Sequence, residues 1–225
     1  PTRASLLTGL YPHQAGMGGM VNSKTDPGPY QGYLNDQCVT MAEVLKDAGY
    51  TTLMSGKWHV GEDRPHWPVD RGFDRYFGLI GGAMNYFDIK QVKNPGEVRK
   101  FAIDGEAYDP PNKDWYLTDA ITDNAVSYLR EYGGKENPFF LYVAYTAPHW
   151  PLNALEEDIQ RYLGKYSEGW DALRKARYQR MIEMGIIDPE WPLPPRDGET
   201  VDWESVEDKA DMDRRMAVYA AQIDR

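Results

Sequence analysis

Apolar residues recur along this chain in two alternating rhythms, one with helical spacing and one in short strand-length runs. Residues 1 to 9, PTRASLLTG, read as one or two helical turns. Pro1 brings its ring-fixed φ, Ala4, Leu6 and Leu7 are good helix formers, and Gly9 can close the end. A Gly-rich loop with Gly16, Gly18 and Gly19 follows. Thr40-Met-Ala-Glu43 has the form of a capping box and opens a short helix, MAEVLKDAG, that Gly49 can terminate. TTLMSGKW, residues 51 to 58, then reads as a strand running out through Ser55 and Gly56. The same helix-to-strand unit returns downstream. Thr118 can cap a helix in which Ile121, Ala125, Tyr128, Leu129 and Tyr132 recur at spacings of three and four, with Gly133 and Gly134 as its stop. Pro138 leads into FFLYVAYTA, a nearly continuous apolar run of strand length, as expected for a strand covered on both faces.

Alternating helix and buried strand predict an α/β sheet with helices on its faces. Ligands of such sheets sit beyond the carboxyl ends of strands, and two polar clusters, GKWH and APHW, fall at such ends. From about 152 to 211 the texture changes: GWDALRKARYQRMIEMG is a plausible helix, EWPLPPRDG cannot be a regular element, and acids dominate from Asp197 to Asp213. The expected organisation is therefore a core over 1–151, a mostly helical excursion over 152–211, and the start of the next core helix over 212–225. In that last stretch Met212, Met216, Tyr219 and Ile223 form the core-facing stripe.

Composition narrows the partners. Thirty-five acids against twenty-five Lys plus Arg give a net charge of −10, which disfavours nucleic acid or an anionic membrane surface. No run approaches the ~18 apolar residues of a membrane helix, and no basic start followed by an apolar run marks a signal peptide; localisation is left open. The single cysteine, Cys38, excludes an intrachain disulfide and a multi-cysteine metal site and reads as a small buried hydrophobe.

The candidate chemistry is cationic. In SGKWHVG, Lys57 and His59 share a face if the chain is still extended there, because side chains two apart on a strand do so. The pair fits equally a surface Lys beside a half-buried His. PHWP occurs twice; His149 directly follows a buried strand, whereas His66 lies in the Pro- and Arg-rich EDRPHWPVDRG, so His149 is the functional candidate and His66 a loop residue. His13 reads as structural, and Trp67 and Trp150 as packing residues or, alternatively, as the lining of a pocket. Arg3, in the first turn of a helix, adds a planar fork suited to tetrahedral oxyanions. Arg3, Lys57, His59 and His149 together would form a basin for a sulfate or phosphate group inside an acidic protein.

These residues also carry a resemblance. Pro1-x-Arg3-x-x-x-x-Thr8-Gly9 resembles the remainder of the sulfatase signature: Cys or Ser, any residue, Pro, any residue, Arg, four residues, Thr-Gly. AGYTTLMSGKWHVG resembles the second sulfatase signature, and PFFLYVAYTAPHWPL the strand and loop bearing a further active-site histidine. The likeness extends over most of the chain and is nearest to bacterial arylsulfatases.

It implies an alkaline-phosphatase-like α/β fold and hydrolysis of sulfate esters of a small molecule or carbohydrate. It also implies calcium and a formylglycine nucleophile made by the formylglycine-generating enzyme. Carried over by position, Arg3 would hold the formylglycine and its anionic surroundings, Lys57 would contact sulfate oxygens, His59 would bond the formylglycine hydroxyl, and His149 would protonate the leaving group. Thr8 and Gly9 would serve recognition by the modifying enzyme and local folding. The formylglycine position falls two residues before Pro1; the family's N-terminal Asp pair and later Asp-Asn pair, which supply its calcium ligands, and its distal Lys have no counterpart here, so the calcium ligands are expected outside this chain. The resemblance therefore implies an internal piece of a sulfatase that is inactive by itself. A phosphomonoester, phosphodiester or phosphonate-ester hydrolase of the same superfamily and a non-catalytic anion- or carbohydrate-binding relative remain as alternatives.

Overall fold

A computed structural model describes residues 1–21, 28–91, 99–111 and 113–225. The chain divides into two compact units, Pro1–Pro151 and Leu152–Arg225.

The first unit is built on a sheet of order β4-β3-β2-β1-β5. Its strands are β1 (Thr51–Gly56), β2 (Arg75–Leu79), β3 (Phe101–Ile103), β4 (Glu106–Ala107) and β5 (Phe139–Ala144). β1 lies between β2 and β5 and runs parallel to both, while β3 and β4 add antiparallel strands on the far side of β2. In register, Met54 sits beside Tyr76, and Gly56 beside Ala144. The carboxyl ends of β1 and β5 therefore finish together.

Helices cover both faces. Helices α1 (Thr2–Thr8) and α2 (Met41–Asp47) join one face, where Ala4, Leu7 and Ala42 share a buried cluster with Met54, Trp58, Phe73 and Tyr76. On the other face lies α3 (Leu117–Tyr132), to whose Ile121 carbonyl Ser55, the next residue along β1, donates at 2.7 Å. The alternation of Met54 and Ser55 is the period-two pleat read out as two different neighbours.

Local signals explain the helix ends. Gly9 closes α1 at φ 71, a left-handed conformation that costs glycine little. The capping box at α2 is complete: Thr40 Oγ1 accepts from Glu43 N at 3.1 Å, and Glu43 Oε2 accepts from Thr40 N at 2.6 Å. Glu43 also pairs with the buried Arg71, which donates to the Leu34 and Cys38 carbonyls, so the helix start is tied to the chain before β2. Cys38 is itself buried.

One local expectation is corrected. Thr118 does not cap α3; Tyr116 is the N-cap, without a side-chain bond, and Thr118 is buried inside the helix. β5 stands at the edge of the sheet with five of its six residues half-buried: Phe140 and Tyr142 pack on the cluster below α1 and α2, and α3 lies against the strand as well. β1 ends at Gly56, where the strand is expected to run out. A Cβ at Gly56 would collide with the Ala144 carbonyl, and its φ of 125 suits glycine.

The second unit holds α4 (Glu156–Gln160), α5 (Gly169–Glu183) and α6 (Lys209–Asp224). Ile159 of α4 packs on Ala217 and Ala221 of α6. Asp213 accepts from the Gly164 and Tyr166 amides at 2.7 and 2.8 Å, closing the turn after α4. The expected stripe of Met212, Met216, Tyr219 and Ile223 is corrected: Tyr219 and Ile223 are exposed, and the buried face is Asp213, Ala217 and Ala221. The helix expected from residue 212 begins at Lys209, where Asp208 caps it through the Asp211 amide. Among the described residues no helix is long and apolar enough to cross a membrane.

Candidate active site

The paired carboxyl ends of β1 and β5 define the site. Arg3, in the first turn of α1, spans them: its Nη1 donates to the Lys57 carbonyl at 3.2 Å and to the Tyr142 hydroxyl at 3.1 Å, and Nη2 to the Tyr145 carbonyl at 3.5 Å. Its planar fork braces the two strand ends as well as supplying charge.

Lys57 is the first residue beyond β1. Its amide donates to the Ala144 carbonyl at 2.7 Å, and its side chain is buried. Burial, with the Arg3 cation as the lesser cause, brings its amine down to about 8.

His59 lies past the strand with φ 59, so extended geometry does not place it beside Lys57, as the strand argument required. Hydrogen bonds do so instead: Trp58 N and His59 N donate to the Leu79 and Ile80 carbonyls at 2.9 and 3.0 Å, holding the segment against the end of β2. The His59 ring packs on Gly82, where an added Cβ would lie 2.6 Å from Nε2. Burial, then the Lys57 and Arg3 cations, lower its pKa to about 3. His59 is therefore neutral at physiological pH.

His149 follows β5 on a turn in which its amide donates to the Thr146 carbonyl at 3.0 Å. Its Nδ1 faces the Trp150 carbonyl at 2.7 Å, and its own carbonyl accepts from the Tyr86 hydroxyl at 2.8 Å. A carbonyl only accepts, so Nδ1 is the proton-bearing nitrogen in this bond.

All four residues line one cleft of about 190 Å³, whose wall is completed by Pro1, Thr2, Met17, Met20 and Val21. The other two histidines sit elsewhere. His13 bonds the Tyr30 hydroxyl at 3.2 Å, and His66 stacks on Tyr33 with ring centroids 4.0 Å apart. Thr8 is spent on its helix end, donating to the Ala4 carbonyl at 2.7 Å. Trp67 packs against the core cluster, whereas Trp150 is 53% exposed.

Tyr142, Tyr86 and Gly82 escaped the sequence reading. Tyr142 alone left a signal, being two residues before Ala144 on the strand that ends at the site.

The cleft does not fit a calcium ion. Its polar lining is Arg3, Lys57, the two histidines and Thr2, with no carboxylate, and among the described residues no group of three or more His, Cys, Asp and Glu is placed to hold a metal. What it fits is an anion.

Comparison with known proteins agrees with that chemistry. The family model described as Sulfatase matches residues 1–224. An arylsulfatase of Klebsiella aerogenes is 38% identical over 99% of this chain and 49% of its own length. An uncharacterized sulfatase of Schizosaccharomyces pombe is 38% identical over 100% of this chain and 43% of its own. The chain thus spans about half the length of the curated relatives it matches.

Among solved structures, that of BT4656 in complex with its substrate D-glucosamine-2-N,6-O-disulfate is 29% identical, covering 72% of this chain and 27% of that one at a TM-score of 0.53. The structure of yidJ from Bacteroides fragilis is 22% identical, covers 99% of this chain and 44% of that one at a TM-score of 0.66, and shares the alkaline-phosphatase-like fold. With the anion cleft at paired strand ends and a family match along nearly its whole length, this chain belongs to the sulfatase family.

Proposed function

We propose that the whole protein of which this chain forms a part hydrolyses sulfate esters of small molecules or carbohydrates at the Arg3–Lys57–His59–His149 cleft. The convergence of these four side chains on a single hollow supports the reading most.

Each residue has a role that its surroundings support. Lys57, held as an ammonium below a pKa of about 8, meets a sulfate oxygen, and Arg3 adds charge while fixing both strand ends. An anion in the cleft raises the Lys57 pKa again, because opposite charge favours the ammonium. His59, neutral and packed on Gly82, accepts a hydrogen bond from a hydroxyl beside the sulfate. His149, with Nδ1 held by the Trp150 carbonyl, passes the proton on Nε2 to the departing oxygen. Pro1 lines the cleft wall, and a formylglycine made by the formylglycine-generating enzyme from a Cys or Ser two residues before it would supply the nucleophilic hydroxyl.

The test separates chemistry from binding. In the full-length, modified protein, His149→Ala should lower turnover of an unactivated alkyl or sugar sulfate by roughly 10²–10⁴, the usual worth of a general acid. It should lower turnover of para-nitrophenyl sulfate far less, because that leaving group needs no proton. Equal losses on both substrates would remove His149 from the donor role.

A further inference from the structure

The loop after β2 and the segment after β5 border a second hollow beside the anion cleft. On the cleft side, Gly82 abuts His59, and Tyr86 holds the His149 carbonyl. Their immediate neighbours Ala83, Met84 and Asn85, with Trp150 and Pro151, line an open pocket of about 360 Å³ to which Gln91 and Arg99 contribute. A group leaving through His149 departs next to that pocket.

We propose that this pocket is the leaving-group subsite and that it takes a sugar ring bearing a second anionic substituent, with the ring on Trp150 and the anion at Arg99. The proposal rests on the reading of the cleft as a sulfate-ester site.

Three features select this ligand. The indole of Trp150, 53% exposed, offers a flat apolar face on which the C–H face of a pyranose can lie. Arg99 is a cation in a protein of net charge −10, and its planar fork suits sulfate or carboxylate. Asn85 Nδ2 donates to Gln91 Oε1 at 2.7 Å, which turns the Gln91 amino group away from Asn85 as a donor for a ring hydroxyl. A bare aryl group would cover the indole but offer no oxygen to the Gln91 amino group and no charge complementary to Arg99, a mismatch that lowers affinity for the poorer partner. The volume falls in the ~300–1,000 Å³ range usual for small-ligand sites.

The experiment compares kcat/KM of the full-length, modified protein for para-nitrophenyl sulfate, a monosulfated monosaccharide and the same sugar carrying two sulfates. Wild type should favour the disulfated sugar. Trp150→Ala should lower the sugar-to-aryl ratio about tenfold or more, and Trp150→Phe should restore much of it, since the backbone carbonyl that holds His149 is untouched. Arg99→Gln should lower the ratio of disulfated to monosulfated sugar by about tenfold.

Variants that lower all three substrates together, leaving the ratios intact, would show a structural role and overturn the subsite. A wild type that prefers the aryl sulfate would also overturn it, while leaving sulfate-ester hydrolysis standing. If no sulfate ester is turned over but calorimetry shows Trp150-dependent binding of the disulfated sugar, the subsite stands and the reaction reading fails.

Discussion

Gly82→Ala isolates the positioning of His59 from its chemistry. Gly82 does not have a left-handed φ, so an alanine meets no backbone penalty there. Its Cβ, however, would lie 2.6 Å from His59 Nε2, 2.7 Å from Cε1 and 3.1 Å from Cδ2, against roughly 3.4 Å for ordinary contact. The ring must retreat by about 0.8 Å, and displacements near 1 Å at a reacting group cost up to about 10²-fold in rate. The expected loss in kcat/KM on an aryl sulfate is therefore about 10- to 100-fold.

Stability should move little, because an alanine on a compatible backbone gains ~0.4–1 kcal/mol through the unfolded state, which offsets the local shift. The assay is steady-state kinetics of the full-length protein beside a thermal melt of the same sample. Near wild-type kcat/KM, or a loss explained entirely by a lower Tm, would refute the claim that Gly82 sets the place of His59.

Other consequences follow from the same geometry. His59 titrates at about 3 when folded, against an ordinary 6.5, so between these values the unfolded chain binds a proton that the folded chain does not. Stability should fall as pH drops through 6.5 towards 3, and His59→Asn should flatten part of that slope in urea midpoints; an unchanged slope would count against the buried neutral imidazole. Inorganic sulfate needs the Lys57 ammonium, so its affinity by calorimetry should weaken as pH rises through about 8, and Lys57→Met should abolish that dependence. A wild-type affinity that is flat across that range would remove Lys57 from the anion site. Thr40→Ala removes the α2 cap and the donor to the buried Arg71 carbonyl at 2.8 Å, costing about 1–3 kcal/mol by denaturation, with activity per folded molecule retained.

Local signals were the legible ones. The Thr40–Glu43 box and the Gly9 cap are decided by residues within a few positions of each other, so pattern alone finds them. His149 was found because a strand end precedes it. Strand order is set by tertiary pairing, and so FFLYVA gave no sign that β5 stands at an edge. In α6 the larger apolar residues drew the stripe, but two alanines and Asp213 form the buried face. Alanine allows α4 to pack close, and Asp213 is retained by the two amides it satisfies. Lys57 and His59 do share a site, by a route the sequence could not reveal: the chain turns at His59 and is held by carbonyls from the end of β2. Gly82 is likewise visible only once the His59 ring is seen against it.

The central claim, that the Arg3–Lys57–His59–His149 cleft serves sulfate-ester hydrolysis, is tested most directly by substrate preference. The measurement is kcat/KM of the full-length, modified protein for para-nitrophenyl sulfate against para-nitrophenyl phosphate under identical conditions. The account predicts a strong preference for the sulfate, with its turnover falling steeply on Lys57→Ala. A strong preference for the phosphate would contradict it and assign the cleft to phosphoryl transfer.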